Sequence, residues 1–284
     1  FLSFPSFMVS AEKKEKYFGA LRDEWFLKSD QIDGAIDSIY IGGGTPSCVN
    51  PLAIFELIKS VKAIKPIRDY AEITIEINPG TVTWEHFEVY RQAGINRISI
   101  GVQSTHDRLL RSLGRIHNGA DCEEAIQMAK QSGFKDISCD LIFGIPQIGE
   151  EPGETFEELQ EDLERVTEWG AMHVSAYSII VEDNTPLNTY FQKKQAQEID
   201  GGLERQMYYS IRKYLNTKKI YQYEISNYAK KFYKSRHNLK YWECLPYLGL
   251  GLGASSYYPA EKGSSHCDYI REKNTDILKD YCMG

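Results

Sequence analysis

The sequence lacks several features that would assign it to common functional classes. It has no basic excess, because 33 lysines and arginines stand against 40 aspartates and glutamates, for a net charge of -7. A protein that neutralises nucleic-acid phosphates needs a positive surface, so nucleic acid is not an expected partner. No apolar run reaches the roughly 18 residues of a membrane-spanning helix. Residues 1–10 also lack the charged start and apolar centre of a signal peptide. These absences predict a cytoplasmic protein.

Closely spaced cysteines are absent too. The six cysteines include no pair closer than Cys267 and Cys282, which excludes a compact zinc knuckle or redox pair; the others are Cys48, Cys122, Cys139 and Cys244. In a reducing cytosol we expect free thiols. No Gly-Lys-Ser/Thr follows the glycine-rich turn at residues 42–44, which excludes a Walker phosphate loop.

What the chain does contain is a regular alternation of strands and helices. With 284 residues, 42% of them hydrophobic, it can bury a sizeable core. Short apolar strands alternate with helix-length segments, which is typical of parallel β/α units. The predicted strands are residues 38–41, 72–78, 97–103, 136–143 and 173–178, and the predicted helices are 51–64, 84–93, 122–132 and 155–169. A tyrosine-rich, helix-rich part follows, so we expect one domain over residues 1–185 and a second, α+β region over 186–284.

The predicted strands carry a polar face. In residues 72–78 isoleucines alternate with polar residues, and the next strands repeat this pattern. The outer face of a parallel barrel must be apolar to meet its helices, so the polar face points into the lumen. A closed barrel fills its lumen with apolar side chains. A polar lumen is costly unless solvent or a polar ligand occupies it. We therefore predict a partial, open parallel β/α barrel with a ligand inside.

Five motifs fall at the ends of successive strands, where a β/α fold places its site. They are Gly42-Gly43-Gly44-Thr45-Pro46, Glu76-Ile77-Asn78-Pro79, Gly101-Val102-Gln103-Ser104, Leu113-Gly114-Arg115-Ile116-His117 and Asp140-Leu141-Ile142-Phe143-Gly144-Ile145-Pro146. In this order and spacing the set resembles the radical S-adenosylmethionine (SAM) family of oxygen-independent coproporphyrinogen III oxidases and their HemW relatives. The resemblance spans nearly the whole chain.

The resemblance implies a SAM-binding site. It implies that the glycine loop meets the methionine part of SAM, that Glu76 takes a cofactor hydroxyl and that Arg115 pairs with the methionine carboxylate. The residues that match cofactor contacts are Gly43, Gly44, Thr45, Glu76, Gln103, Arg115 and Asp140, with Ser178 and Tyr257 as weaker correspondences near the adenosyl end.

Structural roles compete with these assignments. Glu76 and Asp140 can instead form a lumen ion pair with Arg97 or Arg115. Arg115 can also be an ordinary surface arginine.

The second half of the chain bears on the branch of the family. Its segment His237-Asn238-Leu239-Lys240-Tyr241-Trp242 resembles the HemW signature, which implies haem binding with His237 as the ligand of the iron. The structural alternative is that His237 and Trp242 brace the junction between the two halves. The segment around Ser255 departs from the HemW pattern, which tends to have histidine at that position.

The resemblance also implies a 4Fe-4S cluster held by a Cys-x-x-x-Cys-x-x-Cys motif at the end of the first strand. Residues 1–6 resemble the stretch that follows this motif, so the first strand and the cluster cysteines are expected upstream of residue 1. We expect no metal ligands within the chain itself, because none of its cysteines has that spacing.

Three functions remain open from the sequence. The first is a haem chaperone that binds haem and SAM and delivers haem to acceptor proteins, including membrane-linked ones. The second is the oxidative decarboxylation of coproporphyrinogen III in porphyrin biosynthesis. The third is a β/α scaffold that does neither. The His237 signature favours the first.

Overall fold

The computed structural model describes residues 10–183, 185–260 and 268–282. Its strands are β1 (Ile36–Ile41), β2 (Ile67–Ile77), β3 (Arg97–Gln103), β4 (Asp136–Phe143), β5 (Gln147–Ile148), β6 (His173–Ser178), β7 (Ala196–Gln197), β8 (Tyr221–Gln222), β9 (Asn227–Ala229), β10 (Ser255–Pro259) and β11 (Tyr269–Lys273). Its helices are α1 (Ala11–Lys28), α2 (Pro51–Ile64), α3 (Trp84–Ala93), α4 (Asp107–Ser112), α5 (Gly119–Gln131), α6 (Phe156–Trp169), α7 (Pro186–Gln192), α8 (Gly201–Thr217), α9 (Arg236–Trp242) and α10 (Leu278–Tyr281). None of the described helices has the length and apolar character needed to cross a membrane.

Seven strands form one sheet, in the order β1-β2-β3-β4-β6-β9-β8. The pairs β3–β4 and β4–β6 are parallel, whereas β9 is antiparallel to both β6 and β8. The predicted open α/β architecture is therefore confirmed. It is extended by two short antiparallel strands that the sequence did not predict.

Local signals fix where the helices begin. Asn50 accepts a hydrogen bond from Leu52 N ahead of Pro51, so α2 begins where the sequence predicted. Asn118 and Thr155 each form a capping box with the acidic residue three positions later, which starts α5 and α6. Helix α1 was missed, although its buried Phe18, Leu21 and Trp25 have helical spacing.

The described residues divide into two compact units. The first comprises Ile75–Glu88 and Asn96–Lys234, and the second comprises 10–74, Val89–Ile95 and 235–282 apart from the undescribed 261–267. Within the first unit Leu109, Leu113, Ile142 and Ile145 form a buried cluster; within the second, Trp25, Ile36 and Val61 form another. The domain boundary after residue 185 stays a prediction.

Candidate functional site

Three serine hydroxyls surround the partly buried carboxylate of Asp140 in the first unit. The Oγ of Ser99 lies 2.9 Å from Oδ2, that of Ser138 lies 3.4 Å from Oδ1, and Ser175 forms a further hydrogen bond. The serines come from β3, β4 and β6, because adjacent parallel strands place paired residues on one side of the sheet. Burial raises the pKa of Asp140, and the hydroxyls oppose that rise. The polar face predicted from the alternation is thus partly satisfied by its own hydrogen bonds.

Arg97 has a partner that the sequence did not suggest, and its charge also acts to lower the pKa of Asp140. Its guanidinium forms an ion pair with Asp136 at an N–O distance of 2.5 Å and also donates to the carbonyl of Tyr233 at 3.2 Å. Arg97 is 2% exposed, so this pair anchors the start of β4 inside the first unit. The ion pair of Arg97 with Asp136 therefore has a structural role at the start of β4.

His173 and Tyr223 extend the hydrogen bonds of Asp140 through Ser138. His173 Nδ1 lies 2.7 Å from Ser138 Oγ, and Nε2 lies 2.8 Å from the Tyr223 hydroxyl. Burial lowers the pKa of His173 well below its ordinary value, so the imidazole is neutral and carries one N–H. When Asp140 is ionised Ser138 donates to it; Nδ1–H then donates to Ser138, and Tyr223 donates to Nε2. The sequence did not single out His173 or Tyr223.

Two of the family motifs meet at Gly101. A Cβ atom there would lie 2.9 Å from Asn78 Oδ1 and 3.0 Å from Gln103 Nε2, so glycine lets these side chains approach the strand. Gln103 has a φ of 68°, which is strained for a residue other than glycine and is typical of functional sites. In the second unit, Gly43 has a φ of 87°, so the glycine loop needs glycine at that position.

The remaining SAM-site predictions lie in varied surroundings. Gly44 is exposed, and Thr45 and Glu76 are partly buried. Arg115 follows α4 and is also partly buried, and burial lowers its pKa. Arg115 is thus less exposed than a fully solvated surface arginine, and its role in binding SAM stays a prediction.

Ser178 stands at the end of β6 and donates a hydrogen bond to the carboxylate of Glu204 on α8. A Cβ atom at Gly144 would lie 3.8 Å from Ser178 Oγ and 3.7 Å from Glu204 Cγ. Ser178 thus lies beside the Gly-Ile-Pro turn that follows β4, but its hydroxyl already has a protein partner.

A buried glutamate that the sequence did not single out supports the same turn. Glu154 is 3% exposed, and its Oε2 accepts hydrogen bonds from the backbone N–H groups of Gly144 at 2.6 Å and Ile145 at 3.3 Å. Its Oε1 has no hydrogen-bond partner among the described residues. Burial, with the nearby charge of Asp162, raises the pKa of Glu154 to about 8.

Another glutamate determines how the His237 signature folds in the second unit. Glu72 on β2 is 4% exposed and accepts hydrogen bonds from the backbone N–H groups of Arg236 and His237, both at 2.9 Å, and from Ser235 Oγ at 3.3 Å. These groups form the N-terminus of α9, where the helix dipole favours a negative charge. The sequence predicted the polar face that Glu72 shares with Thr74, but it did not predict that Glu72 accepts hydrogen bonds from the start of α9.

Both ring nitrogens of His237 are engaged. Nδ1 lies 3.0 Å from Ser38 Oγ, Nε2 lies 2.9 Å from the Tyr241 hydroxyl, and the ring stacks on Tyr40 with 5.2 Å between centroids. Burial lowers the pKa of His237 to about 4, so its imidazole is neutral at pH 7. His237 joins α9 to β1, as the structural alternative expected, whereas Trp242 is 54% exposed and is not a brace. Binding of iron at Nε2 requires the Tyr241 hydroxyl to move away.

His237 belongs to a continuous row of aromatic rings in the second unit, which we call the aromatic column. Its consecutive ring centroids are 4.7 to 6.1 Å apart, and its members are Tyr40, His237, Tyr241, Tyr247, Tyr257 and Tyr269. The structure thus places Tyr257, one of the weaker SAM-site predictions, in the same row as the haem-ligand candidate. The column could not be predicted from the sequence, because its members are scattered along the chain from β1 to β11.

The described residues do not fit an iron-sulfur cluster. Among them no group of three or more His, Cys, Asp or Glu residues could hold a metal ion. Cys139 is fully buried, and burial raises the pKa of the Cys122 thiol to about 12, so both thiols resist the deprotonation that metal binding needs. Cys267 and residues 1–6 lie outside the described residues.

Comparison with known proteins identifies the relatives of this chain. A family model described as the radical SAM superfamily matches residues 23–165. The haem chaperone HemW of Bacillus subtilis (strain 168) is 33% identical over 90% of the chain, and that of Haemophilus influenzae is 39% identical over 88%. The HemW of Escherichia coli (strain K12) is 37% identical over 77% of the chain. The chain spans 67%, 61% and 55% of these three relatives.

A solved structure has the same fold. The coproporphyrinogen III oxidase HemN from Escherichia coli, described as a radical SAM enzyme, superposes over 99% of the chain and 64% of its own, with a TM-score of 0.77. Its sequence identity with the chain is 20%, so the likeness concerns the fold alone.

Proposed function

The chain belongs to the radical SAM superfamily and to its HemW-type branch, and on this premise we propose that it binds haem and SAM and passes haem to acceptor proteins in the cytoplasm, membrane-linked acceptors among them. The observation that carries the proposal is the His237 signature on α9, which Glu72 holds beside exposed aromatic side chains. The curated relatives with 30 to 39% identity that carry the HemW name support the same function.

For haem we propose His237 as the ligand of the iron. The backbone bond to Glu72 and the side-chain bond to Ser38 fix its position and ring orientation. The hydroxyl of Tyr241, which occupies Nε2, belongs to a side chain that is 47% exposed. Rotation of this exposed phenol frees Nε2 without disturbing the core.

We expect ferric haem to bind the wild-type chain and to bind a His237→Ala variant at least about tenfold more weakly, because loss of an axial ligand removes at least about 1.4 kcal/mol. An absorbance titration measures both dissociation constants. His86→Ala, which removes a histidine from α3, is the matched control and should bind like wild type. Equal binding by the His237 and His86 variants rejects His237 as ligand, and absence of saturable binding by the wild type rejects the haem proposal.

For SAM we propose the residues that the family motifs supply. Arg115 pairs with the methionine carboxylate, and the carboxylates of Glu76 and Asp140 accept hydrogen bonds from cofactor hydroxyls. The three serines around Asp140 hold its carboxylate in one orientation. The remaining proposed contacts are the backbone and side chains of Gly43, Gly44, Thr45, Gln103 and Ser178. In this superfamily the chemistry of SAM needs a 4Fe-4S cluster in the intact protein, for which the described residues provide no ligands, so we assign the chain no reaction step.

Arg115→Gln tests the SAM site. Removing the cation from a bidentate pair is expected to raise the dissociation constant for SAM about tenfold in a calorimetric titration. Arg111→Gln, which alters an exposed arginine at the end of α4, should leave the constant unchanged. If Arg115→Gln and Arg111→Gln both bind SAM like wild type, Arg115 is not part of the site.

A further inference from the structure

We propose that the antiparallel pair β10–β11 extends the haem site beyond His237: Tyr257 and Tyr269 cover the porphyrin ring, and Arg271 pairs with a propionate. The inference rests on the proposed haem-carrier function and deepens it. It gives Tyr257 a role on the haem side in place of the adenosyl contact that the resemblance implied.

The aromatic column ends in solvent at β11. Tyr257 and Tyr269 stack with 4.9 Å between centroids and 10° between ring planes, and Tyr269 is 43% exposed. Towards α9 the column continues through Tyr247, whose ring lies 4.7 Å from that of Tyr241. Trp242 and Leu245, which follow Tyr241 in the chain, are 54% and 40% exposed. Exposed aromatic and apolar side chains in such number mark a binding site more often than an ordinary protein surface.

The register of β10 and β11 adds a positive charge to the same face. Tyr257 lies directly opposite Arg271, and Tyr269 lies two positions before it, so the three side chains share one face of the pair. The side chain of Arg271 hydrogen-bonds to Tyr247, which places the guanidinium beside the column. Lys273 shares this face too, but its ammonium is paired with Asp276 at 2.7 Å.

These features of the β10–β11 face favour one class of ligand. A stacked pair of tyrosine rings with one ring exposed suits a further flat aromatic molecule, and a guanidinium suits a carboxylate. Haem offers both, because its macrocycle is flat and carries two propionates, and its iron needs an axial ligand of the kind that His237 presents. The column connects His237 to β11 through Tyr241 and Tyr247, so the axial ligand, the stacked tyrosines and the guanidinium belong to one row of neighbouring side chains. An apolar protein segment would use the tyrosines but not need the cation.

The test is a titration of the whole chain with ferric haem and, separately, with haem dimethyl ester, whose propionates are uncharged. Tyr269→Ala is expected to weaken binding of both ligands about tenfold, because an aromatic anchor of the macrocycle is lost. Tyr269→Phe keeps the ring and should bind like wild type. Arg271→Gln is expected to weaken haem about tenfold and to leave the dimethyl ester unchanged.

Exposed residues of α8 provide matched controls in the other unit. Tyr209→Ala and Arg205→Gln change the same residue types and should bind both ligands like wild type. Wild-type haem binding with unchanged constants in Tyr269→Ala and Arg271→Gln overturns the inference and leaves the haem-carrier function standing. If Arg271→Gln weakens the binding of haem and of the dimethyl ester equally, Arg271 does not pair with a propionate. Failure of the wild type to bind haem rejects the function itself.

Discussion

Replacing Glu154 by glutamine is expected to abolish a loss of stability that the wild-type protein suffers between pH 5 and pH 8. The folded-state pKa of Glu154 is raised to about 8, whereas an unfolded glutamate titrates near its ordinary value of 4.5. The folded state therefore keeps this proton over a range in which the unfolded chain releases it. Stability is fully present below the unfolded pKa and is lost as pH rises towards 8, by about 4 kcal/mol in all.

Glutamine imitates the protonated carboxyl. Its oxygen can still accept the backbone N–H groups of Gly144 and Ile145, and it has no charge to desolvate. Urea unfolding at pH 5, 6.5 and 8 should show that the difference between variant and wild type grows with pH. Titrating groups that do not interact with Glu154 cancel in this difference. Gln160→Ala, at a partly buried position of α6, changes no titrating group and should show no such growth. A constant difference at all three pH values would falsify the raised pKa.

Replacing Glu72 by alanine is expected to destabilise the protein by about 3 kcal/mol and to weaken haem binding together with it. The substitution leaves the partly buried backbone N–H groups of Arg236 and His237 without their acceptor and removes a negative charge from the N-terminus of α9. Because α9 carries His237, the proposed ligand should become mobile. Urea unfolding measures the first effect, and a haem titration under folding conditions measures the second.

A second carboxylate that contacts α9, from β1, provides the control. Asp37 pairs with Lys240 at 2.9 Å, but the Asp37 side chain is 49% exposed, so Asp37→Ala should cost less than about 1 kcal/mol. Glu72→Gln keeps one acceptor oxygen and should fall between the two. If Asp37→Ala and Glu72→Ala have the same effect, Glu72 does not organise the helix.

Strands in which apolar and polar residues alternate strictly could be predicted from the sequence, because each face of such a strand requires one kind of side chain. The bounds of β3, β4 and β6 agree with the prediction at both ends, since apolar residues facing helices alternate there with polar ones. Helix α2 agrees for the same kind of reason, because Asn50 and Pro51 mark its start within the segment itself. β2 begins at Ile67, five residues before its predicted start. The prediction missed this part of the strand because Arg68, Asp69 and Tyr70 are exposed and interrupt the apolar pattern.

The candidate site was predictable only in part. The five motifs identified the family because each of them is contiguous in the chain. Neither the serines around Asp140 nor the His173–Tyr223 pair could be assigned partners, because a hydroxyl or imidazole bonds to whatever packing brings near it. The role of Glu154 was hidden for the same reason, since the N–H groups that donate to it belong to a turn nine and ten residues earlier in the chain.

The sequence by itself determined the alternation of strands and helices, the order of the motifs and hence the radical SAM family with its HemW-type branch. These properties depend on side-chain periodicity and on contiguous residues, which folding does not change. Only the tertiary structure decided that Glu72 caps a helix 164 residues further along the chain, that both nitrogens of His237 are engaged, and that scattered tyrosines form one column leading to Arg271. Such pairings are long-range, and a buried polar group takes its partner from packing, not from its neighbours in the chain.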